Sequence, residues 1–576
     1  MKKQYYILLI CLFSFLLSNS RVSFLRPGAF MRASNYEAYN ANKLFSIGIG
    51  SEITSLGDIT SHSSSFAFNK TNTNGKEGYG VGGEVTEFKK ALDVLKESIR
   101  GYGRSERGGG ESNPVLDKEK EEEILAVLPL DEEPQDETNH SLVPSLDNCD
   151  LSELDLSDLN FLSISIQNAN LTKAILSRVN LSNSSLAKTS LKNATLNDSN
   201  LSETDLSDSN LSQAILEDAN LEGSTLNRAN LSETMLARAN LRKCKLIESN
   251  LTNANLNEVT CGLADFSRSE LTNVKAIGAD FNRVKLSGAN LSNADFTDSR
   301  LSMAVFFESQ FIGTNLNRAQ VKGSKLVKAN FTDACLTRAD LTGADISDAT
   351  IKGTNLLRAK LGGAILRRTH ILNSNLKEVD LNIADLTSAK LEKVELDGAD
   401  LGRIKLNNAS LQEAQLTKAN ISKGKLAGVD LSGADLSGGN MKGADFTGAK
   451  LTGVDLSRAD LTESVLENAE IKNSFLTGAD IRNANIKNAN LEGSDLSGAK
   501  LTKAIFHQAN LKTCNLHRAD LEHADFSKAN LSQANLTGTK LADANFSNTI
   551  LTDADFNKAD TTDTDFSNAK GYKKRD

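Results

Sequence analysis

The sequence predicts an all-β solenoid in which one short backbone unit repeats over most of the 576 residues. Three observations predict it. With few exceptions, a large apolar residue recurs at every fifth position from Leu146 to Phe566, without a frame shift. A small residue lies two places before it, commonly with Asn or Asp between them, as in Ala169-Asn170-Leu171. All five prolines lie before residue 146, which indicates a biased repeat rather than an ordinary globular sequence.

A five-residue period fits neither a helix nor a continuous strand. In an α-helix, five residues turn the chain by about 500°, so successive Leu residues would be displaced by about 140° and would share no face. In a strand, side chains alternate between the two faces, so alternate Leu residues would point in opposite directions. Each pentad therefore needs its own change of direction. The small residue and the Leu point inward, the Asn or Asp points outward, and the following Ser or Thr and its neighbour form the corner.

These residues resemble those of the pentapeptide-repeat family over about three quarters of the chain. The resemblance implies a right-handed quadrilateral β-helix with four pentads per coil. Residues 146–570 would then form about 21 coils and, at ~4.8 Å per coil, a rod about 100 Å long. Leu and Phe would stack inside in ladders, and neighbouring coils would supply most of the stability. Many family members carry loops between coils, and this sequence shows none, so relatives that grip topoisomerases through such loops are a poor guide to its partner.

Residues 1–20 are predicted to be a secretory signal peptide. Lys2 and Lys3 precede the apolar run Ile7–Leu17, and Ser18-Asn19-Ser20 supplies small residues for cleavage. An uncleaved membrane anchor is the alternative, but the apolar run is too short to span a bilayer comfortably. No stable membrane span is therefore expected after the signal is removed.

Residues 21–83 are predicted to be a disordered or transit-like segment, because the early part is rich in Ser and Asn and poor in acids. A signal followed by such a stretch resembles the bipartite leaders of proteins sent to complex plastids. Phe24 and Pro27 loosely resemble the Phe-containing motif of those leaders. A disordered secreted linker is the alternative. The protein is thus expected to enter the secretory pathway and to be secreted or, alternatively, delivered to a complex plastid.

Residues 84–145 are predicted to be a helical and acidic linker region. Apolar residues at three- and four-residue steps indicate an amphipathic helix over 84–100, and a weaker helix is predicted over 117–128. These helices are expected to cover or flank the N-terminal end of the coils, whose open strand edges need a cap. Residues 571–576 form a basic tail without a helix that could close the other end, so a homodimer through a rod end is a further expectation.

No catalytic, cofactor or metal site is predicted. His507 and His517 lie ten residues apart in a 20-residue coil and therefore on opposite faces, so with His523 they are interpreted as surface histidines. The cysteines show no CxxC spacing, and most of them occupy inward slots of the repeat as small apolar residues. These are Cys149, Cys244 and Cys514 at the small position and Cys261 at the large one.

Two ladders of Asn residues are predicted along opposite faces, where hydrogen bonding between coils is preferred to ligand binding as the interpretation. One ladder contains Asn180, Asn200, Asn220 and Asn240, and the other contains Asn210, Asn230 and Asn250. The net charge is −9, with Lys and Arg interleaved among the acids, so no nucleic-acid partner is expected. The same interleaving weighs against a mimic of DNA, which needs a dense run of carboxylates.

The sequence therefore predicts a non-enzymatic structural or interaction rod, exported or organellar, whose flat faces bind another protein. The alternative is a DNA-mimicking, topoisomerase-binding member of the same family. Exposed apolar residues are sparse in the repeat. Phe307 and Val327 are spaced by 20 and stack on one face, with Val305 beside Phe307, and these three residues are the candidate docking patch.

Overall fold

The computed structural model describes residues 145–572. The predicted signal peptide, the transit-like segment, the helices before residue 145 and the tail from residue 573 lie outside the described residues. The chain divides into two compact units. One comprises Asn148–Leu159 and Ile166–Asp576. The other comprises Met1–Asp147 and Asn160–Ser165, and in its described part Ser145 forms a parallel bridge to Ser165.

The larger unit is a stack of parallel coils with 20 residues in each coil. Residues pair in parallel with those 20 places later, from Asp150 with Asn170 to Ile550 with Lys570. Three coils extend this pairing into short strands that form one parallel sheet in chain order, namely β1 (Thr350–Lys352), β2 (His370–Leu372) and β3 (Lys390–Glu392). Four pentads therefore make one coil, as the resemblance implied. Residues 145–572 contain no helix, and so none there that could cross a membrane.

Three of the five backbone N–H groups in a pentad join it to neighbouring coils. We number the positions of a pentad from its large apolar residue, so that residues 171–175 are the first to fifth positions. The first- and third-position N–H groups donate to Ser190 O and Lys192 O in the next coil, at 2.7 and 2.8 Å. The fifth-position N–H donates to Leu154 O in the preceding coil, at 2.8 Å. Each coil is thus hydrogen-bonded on both sides.

The other two N–H groups explain the corner and the Asn of the repeat. The fourth-position N–H of Ala174 donates to Leu171 O at 3.0 Å and closes the turn. The second-position N–H of Thr172 has no backbone acceptor, and Asn170 Oδ1 binds it at 3.2 Å. Since backbone donors need partners, an Asn or Asp at the preceding fifth position completes the hydrogen bonding of the pentad.

The third position of the pentads has a left-handed backbone conformation. Lys173, for example, has φ of 60°. A positive φ at the third residue of a four-residue turn is the feature of a type II turn, and it favours Gly or Asn. Glycine fills six successive third positions from Gly428 to Gly453, all with positive φ. The predicted corner is confirmed, and in this stretch the corners carry no side chains.

The core of the coils is formed by the first and fourth positions, as predicted. First-position Leu and Phe are buried, and aromatic rings in successive coils stack directly on each other. The ring centroids of Phe506 and Phe526 lie 4.6 Å apart, and those of Phe526 and Phe546 lie 4.8 Å apart. Most fourth positions hold Ala or a hydroxyl residue, and many of these hydroxyl groups donate to a carbonyl, as Ser199 Oγ does to Leu196 O at 2.6 Å. Small fourth-position residues keep the coil narrow.

An aromatic side chain lies against the last coil. Tyr572 stacks on Phe566 with ring centroids 3.8 Å apart, and it meets Phe556 edge-on. Gly571 directs the chain there with φ of 86°, and a Cβ at this residue would come within 2.8 Å of Thr552 N. The basic-tail prediction did not include this packing of its first two residues. The predicted homodimer through a rod end stays a prediction.

Candidate protein-docking surface

The predicted docking residues lie on one face of the larger unit. Val305 is a fifth-position residue and is half-buried, as is the second-position Val327. Phe307 is also at a second position, where Ser or Thr is usual, and 41% of it is exposed. The backbone joins the two coils beside these residues, because Glu308 N–H donates to Val327 O at 3.1 Å. We call Val305, Phe307 and Val327 the Phe307 patch, and its role in docking stays a prediction.

Met303 belongs to this surface, and sequence reasoning missed it. Met303 is the most exposed large apolar residue of the described chain, with 61% exposure. It is a third-position residue at the corner that precedes Val305. Its Sδ lies where a side chain on Gly323 would begin, 2.8 Å from an ideal Cβ at that glycine. The sequence feature that could have indicated this contact is the spacing of Met303 and Gly323, which are 20 residues, or one coil, apart.

The Phe307 patch is bordered by lysines. Lys328 Nζ lies 5.3 Å from the centroid of the Phe307 ring, within the range of a cation–π contact, and 3.0 Å from Glu308 Oε1. Lys285 Nζ is 3.5 Å from Asp265 Oδ2 in the preceding coil. Phe307 therefore lies in a small apolar area beside lysines, of which Lys328 and Lys285 are each paired with a carboxylate of a neighbouring coil.

The two Asn ladders are hydrogen-bonded, as predicted. Asn200 Nδ2 donates to Asn180 Oδ1 at 3.1 Å, and Asn220 and Asn240 continue the ladder at 3.1 and 3.0 Å. On the opposite face the Asn230 and Asn250 amides donate to the preceding coil at 3.4 and 3.3 Å. Because each Oδ1 also accepts the N–H two residues on, these amides are occupied within the fold.

Arg–carboxylate pairs connect third-position residues of neighbouring coils. Arg228 donates from Nε and Nη2 to the two oxygens of Asp208, both at 2.7 Å. This bond lowers the pKa of Asp208 and raises that of Arg228. Arg318 pairs with Asp298 in the same way. These pairs are exposed, so each contributes little to stability, but together they place cations among the carboxylates at the corners.

Asp385 is the carboxylate with the most enclosed ion pair on this face. It is only 6% exposed, and Arg367 donates to Oδ2 from Nε and Nη2 at 2.9 and 2.7 Å. Partial burial alone would raise the pKa of Asp385. The Arg367 bonds and the bonds from Thr387 outweigh it and lower the pKa from 3.8 to about 2. Asp385 therefore stays ionised in the folded protein at pH values where it takes up a proton in the unfolded chain.

We expect Asp385 to make its coil sensitive to acid. Because the folded-state pKa is the lower one, the stabilisation is complete above about pH 4 and is lost as the pH falls toward 2. The local protection factor of residues 380–390, measured by hydrogen exchange, should exceed that of the Asp385→Asn variant at pH 6, and the difference should vanish near pH 2. Asp495→Asn, at a fifth position without an ion pair in the described residues, is the control for the substitution itself. A constant difference for Asp385→Asn at all pH values would contradict the prediction.

The histidines and cysteines fit the structural interpretation. His507 Nδ1 and His517 Nδ1 lie 2.7 Å from Ser527 Oγ and Thr537 Oγ1 in the next coil. No cluster of three or more potential metal ligands occurs in residues 145–572. Cys244 is buried and donates to Leu221 O, and its burial raises the pKa of the thiol to about 12. Such a thiol is a core residue and not an activated nucleophile.

Comparison with known proteins adds a family match. The family model described as Pentapeptide repeats (8 copies) matches the chain in a series of segments that begins with 145–183 and ends with 529–568. Comparison with curated protein sequences gives no match.

Solved structures with the same repeat superpose on parts of the chain. HetL, a pentapeptide repeat protein involved in heterocyst differentiation regulation from Nostoc sp. strain PCC 7120, is 31% identical over 34% of this chain and 88% of its own, with a TM-score of 0.24. QnrB1, a plasmid-mediated fluoroquinolone resistance protein, is 23% identical over 31% of this chain and 86% of its own, with a TM-score of 0.26. A pentapeptide repeat protein from the Arabidopsis thaliana thylakoid lumen is 33% identical over 18% and 66%, with a TM-score of 0.11. TM-scores this low support no inference about partners.

Proposed function

Because the chain belongs to the pentapeptide-repeat family, we propose that it is a non-enzymatic, exported or organellar solenoid that binds another protein through the Phe307 patch and Met303. The family is of the protein-interaction type. The export part of the proposal rests on the Lys-flanked apolar run in residues 1–20.

The exposure of Phe307 is the observation that carries the proposal. A second position is normally filled by Ser or Thr, and residues 287 and 347 of the same column are both Ser. Phe307 instead presents an aromatic ring at the corner, with Met303 at the other edge of the same face. Aromatic residues and Met are enriched where proteins meet, and a few such residues dominate the binding energy. An apolar pocket on the partner would cover Phe307 and Met303.

The test compares Phe307→Ser with Phe475→Ser. Serine occupies the same slot in the preceding coil, at residue 287, so Phe307→Ser should leave the fold intact. Phe475 is another exposed Phe, at 55%, and it is a fifth-position residue ten residues out of phase with Val305 and therefore on the opposite face. Tagged full-length variants would be recovered from the native cells and their co-purifying proteins quantified by mass spectrometry, followed by titration of the purified partner.

Loss of the Phe307 ring is expected to lower the affinity for a direct partner about 30-fold or more. Phe307→Ser should therefore lose a partner that Phe475→Ser retains. If the two variants and the wild type recover the same proteins at the same levels, the Phe307 patch is not the docking site. Catalytic turnover that survives purification and is lost on mutation of one polar cluster would overturn the non-enzymatic part of the proposal.

A further inference from the structure

A second apolar surface lies near the start of the larger unit. Ile175, Ile215 and Met235 are 42%, 36% and 38% exposed, and with Thr195 they fill four successive fifth positions of one face. They pair in register as Ile175 with Thr195, Thr195 with Ile215, and Ile215 with Met235. We call these four residues the apolar column. No other face within residues 145–572 has three large apolar residues in four successive fifth positions.

The apolar column lacks the fifth-position Asn or Asp that completes the hydrogen bonding of a regular pentad. None of the four residues is Asn or Asp, so the second-position N–H groups that follow them have no acceptor in the described residues. These are the N–H groups of Ser177, Asn197, Glu217 and Ala237. At two other pentads the chain replaces the missing acceptor, because Asn227 Oδ1 and Asn257 Oδ1 accept the N–H groups of Ile247 and Ile277 at 3.0 Å. Three exposed large apolar residues in four successive fifth positions, together with the four N–H groups beside them, mark a departure from the regular repeat, which is expected at functional sites.

The edges of the apolar column carry two carboxylates that belong to no ion pair of the described residues. Arg178 and Arg238 lie along one edge, and each is already bound by two oxygens of an Asp in the preceding coil. Asp198, on the same edge, has no ion pair in the described residues. Glu233, on the other edge, accepts only the amide of Gln213, at 3.0 Å. Among the third-position residues of the two edges, the charges outside ion pairs are therefore the carboxylates of Asp198 and Glu233.

We propose that the apolar column is a docking face for a cationic amphipathic helix of another protein. Successive coils are ~4.8 Å apart, close to the 5.4 Å pitch of an α-helix, so apolar residues of a helix laid along the column would meet coil after coil. An extended strand repeats its side chains every ~6.6 Å and would fall out of step. Lys or Arg on the flanks of the helix would reach Asp198 and Glu233.

This face is opposite the face of the Phe307 patch, because fifth positions 215 and 305 differ by half a coil within the 20-residue period. The apolar column is therefore a separate surface, and its role does not rest on the function proposed for the Phe307 patch. The proposed occupant also differs from the helix over 84–100 that is predicted to cover or flank the N-terminal end, because it comes from another chain.

Ile215→Asn is the central test, because asparagine is the regular residue of this slot. The Oδ1 of the new asparagine would accept the N–H of Glu217, as Asn220 Oδ1 accepts the N–H of Glu222 at 3.2 Å. The melting temperature should therefore be unchanged or higher. The probe is a fluorescent synthetic helix with Leu at i, i+3, i+4 and i+7 positions and Lys elsewhere. Control peptides have the same Leu residues in scrambled order, or Glu in place of Lys. Binding to the full-length protein is measured by fluorescence anisotropy.

We expect the wild type to bind the Lys peptide at least about tenfold more tightly than either control peptide. Ile215→Asn should lose about tenfold in affinity with its melting temperature retained, whereas Phe307→Ser should bind as the wild type does. Equal affinity for the scrambled peptide, or full affinity in Ile215→Asn, would overturn the proposal. Light scattering that shows a wild-type dimer and an Ile215→Asn monomer would also overturn it, because a second copy would then cover the column.

Discussion

Replacing Phe526 by Ala is expected to open the C-terminal coils at a much lower temperature than the rest of the solenoid. The Phe526 ring is fully buried between the rings of Phe506 and Phe546, at centroid distances of 4.6 and 4.8 Å. Its removal leaves a cavity that the hydrogen-bonded coils on either side cannot close. Such a truncation lowers the free energy of unfolding by about 3–5 kcal/mol. Hydrogen exchange read by mass spectrometry should show the loss of protection in peptides from residues 506–566.

The same substitution at Phe475 is the control. Phe475 occupies a fifth position, points outward and is 55% exposed, so Phe475→Ala removes an equal number of atoms without opening a cavity. Phe475→Ala should change the free energy of unfolding by no more than about 0.5 kcal/mol. Because each coil contacts mainly its neighbours, the loss in Phe526→Ala should be confined to the coils around residue 526. Equal protection in the two variants would contradict the inward and outward assignment of the two positions.

The coil could be predicted from the sequence because one local pattern determines it. A five-residue period excludes helix and strand, and the alternation of small residue, polar residue and Leu places the core. The pairing of residues such as Asn200 and Asn220 follows once four pentads make a coil. The family match and the 20-residue pairing confirm these predictions.

The proposed docking surfaces were harder to predict because they are departures from the pattern. Phe307 stood out as an aromatic residue in a Ser slot, but the placement of Met303 over Gly323 needed the corner geometry. The apolar column could have been found by reading every twentieth residue from 175, yet the exposure of its side chains is a property of the folded coils. The packing of Tyr572 on Phe566 depends on the backbone at Gly571, which the periodicity does not describe.

Proline should be accepted at one position of the pentad and rejected at another in the same turn. The repeat region lacks proline entirely, and the hydrogen bonds explain why most positions exclude it. Lys425, at a fifth position, donates its N–H to Ile404 O at 2.8 Å. Lys425→Pro removes this bond from the interior of the stack and places the ring against the neighbouring coil, at an expected cost of about 3 kcal/mol or more.

Ala427→Pro, two residues further on, should be neutral or stabilising. Ala427 is at a second position, and its N–H has no acceptor in the described residues because Lys425 cannot cap it. Gly428 follows with φ of 67°, so the variant would place Pro-Gly at the two central residues of the type II turn, where both are favoured. The fixed φ of proline also lowers the entropy of the unfolded chain, which stabilises by about 0.4–1 kcal/mol.

Thermal unfolding and hydrogen exchange of residues 400–450 would separate the two variants. Lys425→Pro should lose protection in the coils on both sides of residue 425, and Ala427→Pro should match or exceed the wild type. Equal damage by both prolines would mean that the second-position N–H is bonded after all. In that case the Asn or Asp of the fifth position would not be needed to complete the hydrogen bonding of the pentad.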